Sequence, residues 1–185
     1  MQRLAMNYLF GPHSLHNSQI FFETKLSLAI VNIKPIVPGH VLVIPKRVES
    51  RLMNLTPEEY NDLFLAVRTV APKLENHFGA HAMNIAVQDG AASGQSVPHV
   101  HVHILPRKKG MIQRCMNSTI YIYLILKLYC TILGDFSRND DVYDELEQQN
   151  LHEVFHHNHR RTKSVDEMGI ECDVYKSLFS LHNFS

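Results

Sequence analysis

Residues 99–105 read His-Val-His-Val-His-Ile-Leu, and this stretch decides how the chain is interpreted. Successive side chains of a β-strand point to opposite faces, so the three histidines share one face and the apolar residues share the other. We expect the apolar face to enter the core, the imidazoles to line a surface and Pro106 to end the strand. A purely structural strand has no need of three histidines, so the pattern indicates a functional site.

Two kinds of chemistry fit the histidine strand. Alternate histidines can bind zinc, with His40 as a further ligand, or one imidazole can attack phosphorus while its neighbours position it. The preceding residues Gly94-Gln95-Ser96-Val97-Pro98 favour the second reading. A glycine permits close approach, and amide, hydroxyl and backbone N–H groups are neutral donors suited to phosphate oxygens. A zinc site has no need of such a cradle.

Four further strands surround this one. The predicted sheet has β-rich runs at 19–23, 27–32, 40–44, 83–88 and 99–105. A helix begins at Thr56, with Pro57 at its first position and Glu59 completing a capping box, and Pro72 is expected to kink or shorten it. A second helix is predicted over 164–181. These elements predict an α+β domain with a mainly antiparallel five-stranded sheet and two main helices.

The composition limits the partners and the compartment. Lys and Arg number 18, as do Asp and Glu, so the net charge of zero argues against broad capture of nucleic acid. Three cysteines without paired spacing fit a reducing compartment. The apolar stretch 119–133 is too short to span a bilayer, and no membrane partner is expected. Residues 1–10 have no signal-peptide pattern. The cytoplasm is the predicted location, and nuclear or mitochondrial pools are compatible with the same residues.

The chain resembles the histidine triad (HIT) superfamily, whose signature is three histidines alternating with apolar residues, followed by two apolar residues. Residues 99–105 match every position. Over most of 10–110, and again from 135 to about 149, the chain is similar to the fragile histidine triad branch. The supporting segments are Phe10-Gly11-Pro12-His13, 27–43, Gln88-Asp89-Gly90, 94–97, Leu105-Pro106-Arg107-Lys108 and 135–143.

The resemblance implies a HIT-type fold and a bis(5'-adenosyl)-triphosphatase activity, which cleaves dinucleoside polyphosphates such as diadenosine triphosphate to AMP and ADP through a covalent nucleotidyl-histidine. It also implies a homodimer. By the same resemblance His101 is the nucleophile, His103 contacts the phosphate and the leaving oxygen, His99 orients His101, and His40 supports the triad from behind.

The resemblance further implies a set of substrate contacts. Asn32 binds ribose hydroxyls, Gln88 binds the α-phosphate, and His13 is a peripheral contact. The phosphates are wrapped by Gly94, Gln95, Ser96 and Val97. No tightly bound cofactor and no protein-held metal are expected, although Mg or Mn assists by coordinating the substrate phosphates. Tyr143 is a candidate phosphorylation position.

The segment 111–134 departs from the family, which passes directly from the region of 107–110 to an Asp-Phe segment. We interpret this apolar insertion as a translated intron or gene-model error, with an amphipathic or membrane-touching lid as the alternative. The predicted organisation is therefore a HIT core at 1–110, the insertion at 111–134, a mobile polar loop at 135–163, and a helix and tail at 164–185.

Three other functions stay open. The chain is alternatively a nucleotide-binding signalling module with slow turnover, an adenosine phosphoramidase-like nucleotidyl hydrolase, or a zinc hydrolase. A stoichiometric metal and loss of activity with a chelator would identify the last of these.

Overall fold

The structure, a computed structural model, describes residues 8–108 and 161–180. Within them a short hairpin precedes a five-stranded sheet, and the elements are β1 (Leu9–Phe10), β2 (His13–Ser14), β3 (Ile20–Glu23), β4 (Ser27–Val31), β5 (Val41–Pro45), α1 (Pro57–Phe78), β6 (Ala82–Val87), β7 (Val102–Arg107) and α2 (Val165–Ser180). The sheet is antiparallel throughout, in the order β3-β4-β5-β7-β6. The predicted α+β fold, with five strands and two main helices, is confirmed.

The helix α1 begins as its capping box predicts. Glu59 donates its N–H to Thr56 Oγ1 (3.2 Å), and Thr56 donates its N–H to Glu59 Oε2 (2.9 Å). Pro72 was predicted to kink or shorten the helix, and the shortening was wrong, since the helix continues to Phe78; the kink stays a prediction. Pro72 is exposed, while Ala71 and Leu74 beside it are buried. Packing of the buried face therefore outweighs the one hydrogen bond that the proline removes.

The helix α2 is also capped as predicted. Glu167 donates its N–H to Ser164 Oγ, and Ser164 donates its N–H to Glu167 Oε2. Its buried side chains Met168, Cys172 and Tyr175 belong to the main core. Of the described helices, none has the length and apolar character needed to cross a membrane.

The strand register gives the sheet one face for the helices and one for the hairpin. Side chains on the first face pack with α1 and α2 in the main core, and they include Ala29, Val31, Val41, Val43, Val102 and Ile104. The opposite face carries Leu28, Ile30, Leu42 and Ile44, which pack against Tyr8, Phe10 and Leu15. His103 pairs with Leu42 in register, so the histidines lie on the hairpin side, away from the helices.

The histidine strand differs from its predicted bounds at both ends. It starts at Val102 instead of His99, because the Val100 N–H bonds to the Glu49 carbonyl (2.6 Å) outside the ladder. It continues through Pro106, because β5 pairs only with Val102–Ile104 and a proline beyond that point removes no bond toward β5. The other strand ends lie within one residue of prediction.

Candidate active site

Four histidines from two strands and their flanks meet in the interior. His99, His101, His103 and His40 are 0, 4, 5 and 1% exposed. The expectation that the imidazoles line a surface was therefore wrong. The β1–β2 hairpin contributes to this burial, since its Phe10 ring lies 5.6 Å from the His99 ring and 5.4 Å from the His101 ring between centroids. The hairpin therefore covers His99 and His101.

The protonation of His101 follows from one hydrogen bond. Its Nδ1 lies 2.7 Å from the carbonyl oxygen of His99. A carbonyl oxygen only accepts, so Nδ1 carries the hydrogen and donates it. Burial lowers the pKa of His101 below its usual value of 6.5. The ring is therefore neutral near pH 7, and its Nε2 holds a lone pair suited to nucleophilic attack.

His103 has the opposite tautomer. The backbone N–H of Ile36 donates to His40 Nδ1 (3.1 Å), which leaves the hydrogen of a neutral His40 on Nε2. His40 Nε2 then donates to His103 Nδ1 (2.9 Å), so His103 carries its hydrogen on Nε2. The rings of His101 and His103 are 4.8 Å apart and nearly perpendicular. A nucleophilic nitrogen and an N–H donor thus stand side by side.

His99 uses both of its ring nitrogens within the protein. Nδ1 accepts the N–H of Gly11 (3.0 Å), and Nε2 donates to the carbonyl of Pro45 (3.0 Å). Burial lowers the pKa of His99, which keeps the ring neutral. His99 therefore acts through its backbone carbonyl on His101, and it would have to break an existing bond to ligate a metal. Within 8–108 and 161–180, no group of three or more His, Cys, Asp or Glu side chains is arranged to hold a metal ion.

Two of the predicted substrate contacts lie beside these histidines. Asn32 Nδ2 lies 3.4 Å from His40 Nδ1, the acceptor nitrogen of that ring, and Asn32 Oδ1 accepts the N–H of Lys34 (3.0 Å). Gln88 is 7% exposed and follows the Val87–Val102 pair, so the register of β6 and β7 places it opposite His101. His13, in contrast, is exposed on β2.

The loop 89–98 is held by the side chain of Gln95. Its Nε2 donates to the carbonyls of Ser50 (2.9 Å) and His99 (3.3 Å), and its Oε1 accepts the N–H of Gly90 (2.8 Å). The sequence predicts that this amide donates to phosphate, but in the structure the Gln95 side chain is already hydrogen-bonded to the protein backbone. Gly94 takes a left-handed φ of +91°, which glycine adopts readily.

The next two residues keep their donors available. Ser96 is exposed and Val97 half-buried. Within the described residues, nothing accepts a hydrogen bond from the backbone N–H groups of Ser96 and Val97. Of the predicted cradle, these two residues fit the role of phosphate donors best. Tyr143, the insertion 111–134 and nearly all of the predicted loop 135–163 lie outside the described residues.

Comparison with known proteins gives the family. A model of the HIT domain matches residues 14–110. The chain belongs to the HIT family. The bis(5'-adenosyl)-triphosphatase of Dictyostelium discoideum is 38% identical over 170 residues, which cover 92% of this chain and 91% of that protein. The bifunctional bis(5'-adenosyl)-triphosphatase/adenylylsulfatase of Arabidopsis thaliana is 36% identical and covers 97% of this chain and 88% of that protein.

A solved structure of similar extent supports the fold. The diadenosine triphosphate hydrolase of Plasmodium falciparum, crystallised with cyclomarin A, aligns over 99% of this HIT chain and 90% of its own. The TM-score is 0.66, and 25% of the residues are identical. The predicted resemblance to the HIT superfamily and its fragile histidine triad branch is confirmed.

Sequence reasoning missed several groups of this HIT site. The Ile36 N–H and the Pro45 carbonyl are backbone groups, which no residue type signals. Gly11 and Phe10 lie in a segment that resembles the family, but the sequence alone predicts no role for them. The glycine was the one available clue to a close contact, because its φ of +57° and its closeness to Val97 exclude a larger residue.

Proposed function

We propose that this HIT chain hydrolyses diadenosine triphosphate to AMP and ADP, with His101 as the nucleophile. Two similar proteins are named bis(5'-adenosyl)-triphosphatases, and a structural neighbour is a diadenosine triphosphate hydrolase. The observation that carries the proposal is the 2.7 Å bond from His101 Nδ1 to the His99 carbonyl. It leaves the Nε2 lone pair available for attack on phosphorus.

The reaction balances in two steps. In the first, His101 Nε2 bonds to the α-phosphorus, the bond from that phosphorus to its bridging oxygen breaks, and ADP leaves as an anion. The ring, now bearing AMP on Nε2 and hydrogen on Nδ1, is a cation that the His99 carbonyl stabilises. In the second step, water attacks the phosphorus, the P–N bond breaks, and AMP and a proton are released, which returns His101 to the neutral state.

The neighbouring groups complete the electrostatics. His103 Nε2–H is the donor for the phosphate or the departing oxygen, where negative charge develops. The backbone N–H groups of Ser96 and Val97 serve the remaining phosphate oxygens, Gln88 the α-phosphate, and Asn32 the ribose. Mg²⁺ or Mn²⁺ would assist by binding the substrate phosphates. EDTA should then slow turnover and added Mg²⁺ or Mn²⁺ should restore it, but, unlike a zinc hydrolase, the purified chain should hold no stoichiometric metal.

We also propose that the chain is a homodimer. In support, β6 is one of the two outer strands of the described sheet, and Ile85 on that strand is 50% exposed. Sedimentation equilibrium would decide between monomer and dimer. A cytoplasmic location stays a prediction from the sequence alone.

The test of the function is His101→Ala, with His77→Ala as the control. His77 is an exposed histidine near the end of α1, so its loss should leave turnover unchanged. His101→Ala should reduce kcat by about 10³-fold or more, which corresponds to about 4 kcal/mol of barrier, while the substrate Kd changes little. The assay follows AMP and ADP release by chromatography.

Trapping the intermediate tests the route independently of the variant. The wild-type chain would be incubated with α-³²P-labelled substrate, denatured at neutral pH and digested. The label should map to the peptide containing His101. Near-wild-type turnover of His101→Ala, or a label on a different residue, would overturn the proposed mechanism.

A further inference from the structure

Gly11 stands at the start of a chain of hydrogen bonds that ends on the nucleophile. Its N–H donates to His99 Nδ1 (3.0 Å), while His99 Nε2 donates to the Pro45 carbonyl (3.0 Å). The carbonyl of the same His99 accepts from His101 Nδ1 (2.7 Å). His99 is fully buried, so its two ring contacts determine both its orientation and its tautomer.

Gly11 also approaches the residues before His99 more closely than any side chain would permit. A Cβ at this position would lie 2.7 Å from Val97 Cγ1, 3.7 Å from Pro98 Cδ and 3.9 Å from His99 Cβ. The His99 N–H is bonded to the Val97 carbonyl at 2.7 Å. A displacement of Val97 would therefore also displace His99, because this hydrogen bond links the two residues.

We infer that Gly11 is a positioning residue for the nucleophile. Through His99, Gly11 sets the tautomer and the position of His101. The inference rests on the proposed function only insofar as His101 is the reacting group. Gly11 touches no reacting atom. Its role is to keep the His99 ring in place, so that the His99 carbonyl meets Nδ1–H and leaves Nε2 without a hydrogen.

The chain offers a matched control for the test. Gly79, at the end of α1, has a φ of +55°, and Gly11 has one of +57°. A Cβ at Gly79 meets nothing within 4 Å, whereas one at Gly11 meets Val97. Gly79→Ala therefore carries the same backbone strain as Gly11→Ala but lies outside the hydrogen-bond chain.

Two measurements on full-length Gly11→Ala separate positioning from general damage. Imidazole ¹⁵N–¹H correlation spectra of the unliganded protein report the tautomers directly. Wild type and Gly79→Ala should show hydrogen on Nε2 of His99 and on Nδ1 of His101, and Gly11→Ala should lose both signatures. Steady-state hydrolysis of diadenosine triphosphate should show kcat reduced about 10- to 100-fold with KM within about threefold, the size expected when a reacting group is misplaced by a fraction of an ångström to one ångström.

A rescue variant keeps the test valid even if Gly11→Ala folds poorly. Gly11→Ala/Val97→Ala removes the overlap with Val97 Cγ1, and Val97→Ala alone is its control. Because Val97 belongs to the proposed phosphate site, Val97→Ala is the reference, and the double variant should match it in both the His99 and His101 tautomers and in kcat. Recovery of one without the other would overturn the inference. So would Gly11→Ala with wild-type tautomers and kcat, or with a raised KM and unchanged kcat.

The spectra also separate this inference from the proposed function. If the wild-type chain does not hydrolyse diadenosine triphosphate, the proposed function fails, yet the tautomers of Gly11→Ala and Gly79→Ala still decide whether Gly11 positions His101. If the wild-type chain hydrolyses the substrate and Gly11→Ala keeps both tautomers, the positioning role fails alone.

Discussion

Replacing Gln95 with glutamate tests whether this side chain stabilises the loop 89–98 or binds a substrate phosphate. Glutamate has nearly the same shape and keeps an oxygen that accepts the Gly90 N–H. It loses the two bonds that Gln95 Nε2 donates, to the Ser50 carbonyl at 2.9 Å and to the His99 carbonyl at 3.3 Å. A carboxylate oxygen then faces two carbonyl oxygens.

The expected magnitude follows from those bonds. A hydrogen bond within a protein contributes about 1 kcal/mol net, so losing two should lower the free energy of unfolding by about 2 kcal/mol. The unliganded protein shows this loss in urea denaturation. Amide hydrogen exchange at Gly90 and Gln95 should accelerate as well, because the bonds that close the loop are weakened.

The alternative makes a different prediction. If the Gln95 amide acts as a phosphate donor, Gln95→Glu should raise KM while the unliganded protein keeps its stability. The uncharged variant Gln95→Met controls for the added charge and should also be destabilised, because it loses both bonds donated by Nε2 and the oxygen that accepts the Gly90 N–H. A free energy of unfolding within about 0.5 kcal/mol of wild type for both variants would refute the bracing role.

Two predictions concern pH. Because burial lowers the pKa of His101 from its usual 6.5, the single-turnover rate of adenylation should fall to half of its plateau value only below pH 6.5, as Nε2 is protonated. A midpoint at or above pH 6.5 would contradict the assignment. Arg47 bonds both oxygens of Glu59 (2.7 Å each) and lowers the pKa of that carboxyl from 4.5 to about 2, so the stabilisation is complete above pH 4.5 and is lost as the pH falls toward 2. Glu59→Gln should thus lower the free energy of unfolding at pH 7 by about 1–2 kcal/mol, a value reduced because Arg47 is half-exposed and its charge is screened by water. In urea denaturation, the difference from wild type should shrink below pH 4.5. A pH-independent difference would exclude the ion pair as its cause.

The parts of the fold that the sequence predicts correctly are those determined by residues close to one another along the chain. The capping box of α1 needs only Thr56 and Glu59, three residues apart, and the alternation of 99–105 assigns Val102 and Ile104 to the core. Pro72 shows the limit of such local rules. The helix continues past it because Ala71 and Leu74 are buried by distant strands, and that burial is a property of the assembled fold.

The site was predicted as a set of residue types but not as a set of protonation states. The sequence indicates that His99, His101 and His103 act together, and the structure brings them together with His40. Whether each imidazole is a donor or an acceptor depends on backbone groups far away in sequence. The Gly11 N–H lies 88 residues from His99, and its partner on the other nitrogen, Pro45, lies 54 residues away.

Those backbone contacts explain how one residue type could perform three different tasks in the reaction that we propose. The Ile36 N–H makes His40 a donor at Nε2, which makes His103 a donor at its own Nε2. The His99 carbonyl holds the hydrogen of His101 on Nδ1, which leaves a lone pair on Nε2 for the attack that we propose. Had either contact been reversed, the rings of His101 and His103 would present two lone pairs or two hydrogens, and the proposed reaction would lack either its donor or its nucleophile. The alternating histidines therefore supply the ring nitrogens, and the backbone groups of Ile36 and His99 decide which of those nitrogens carry hydrogen.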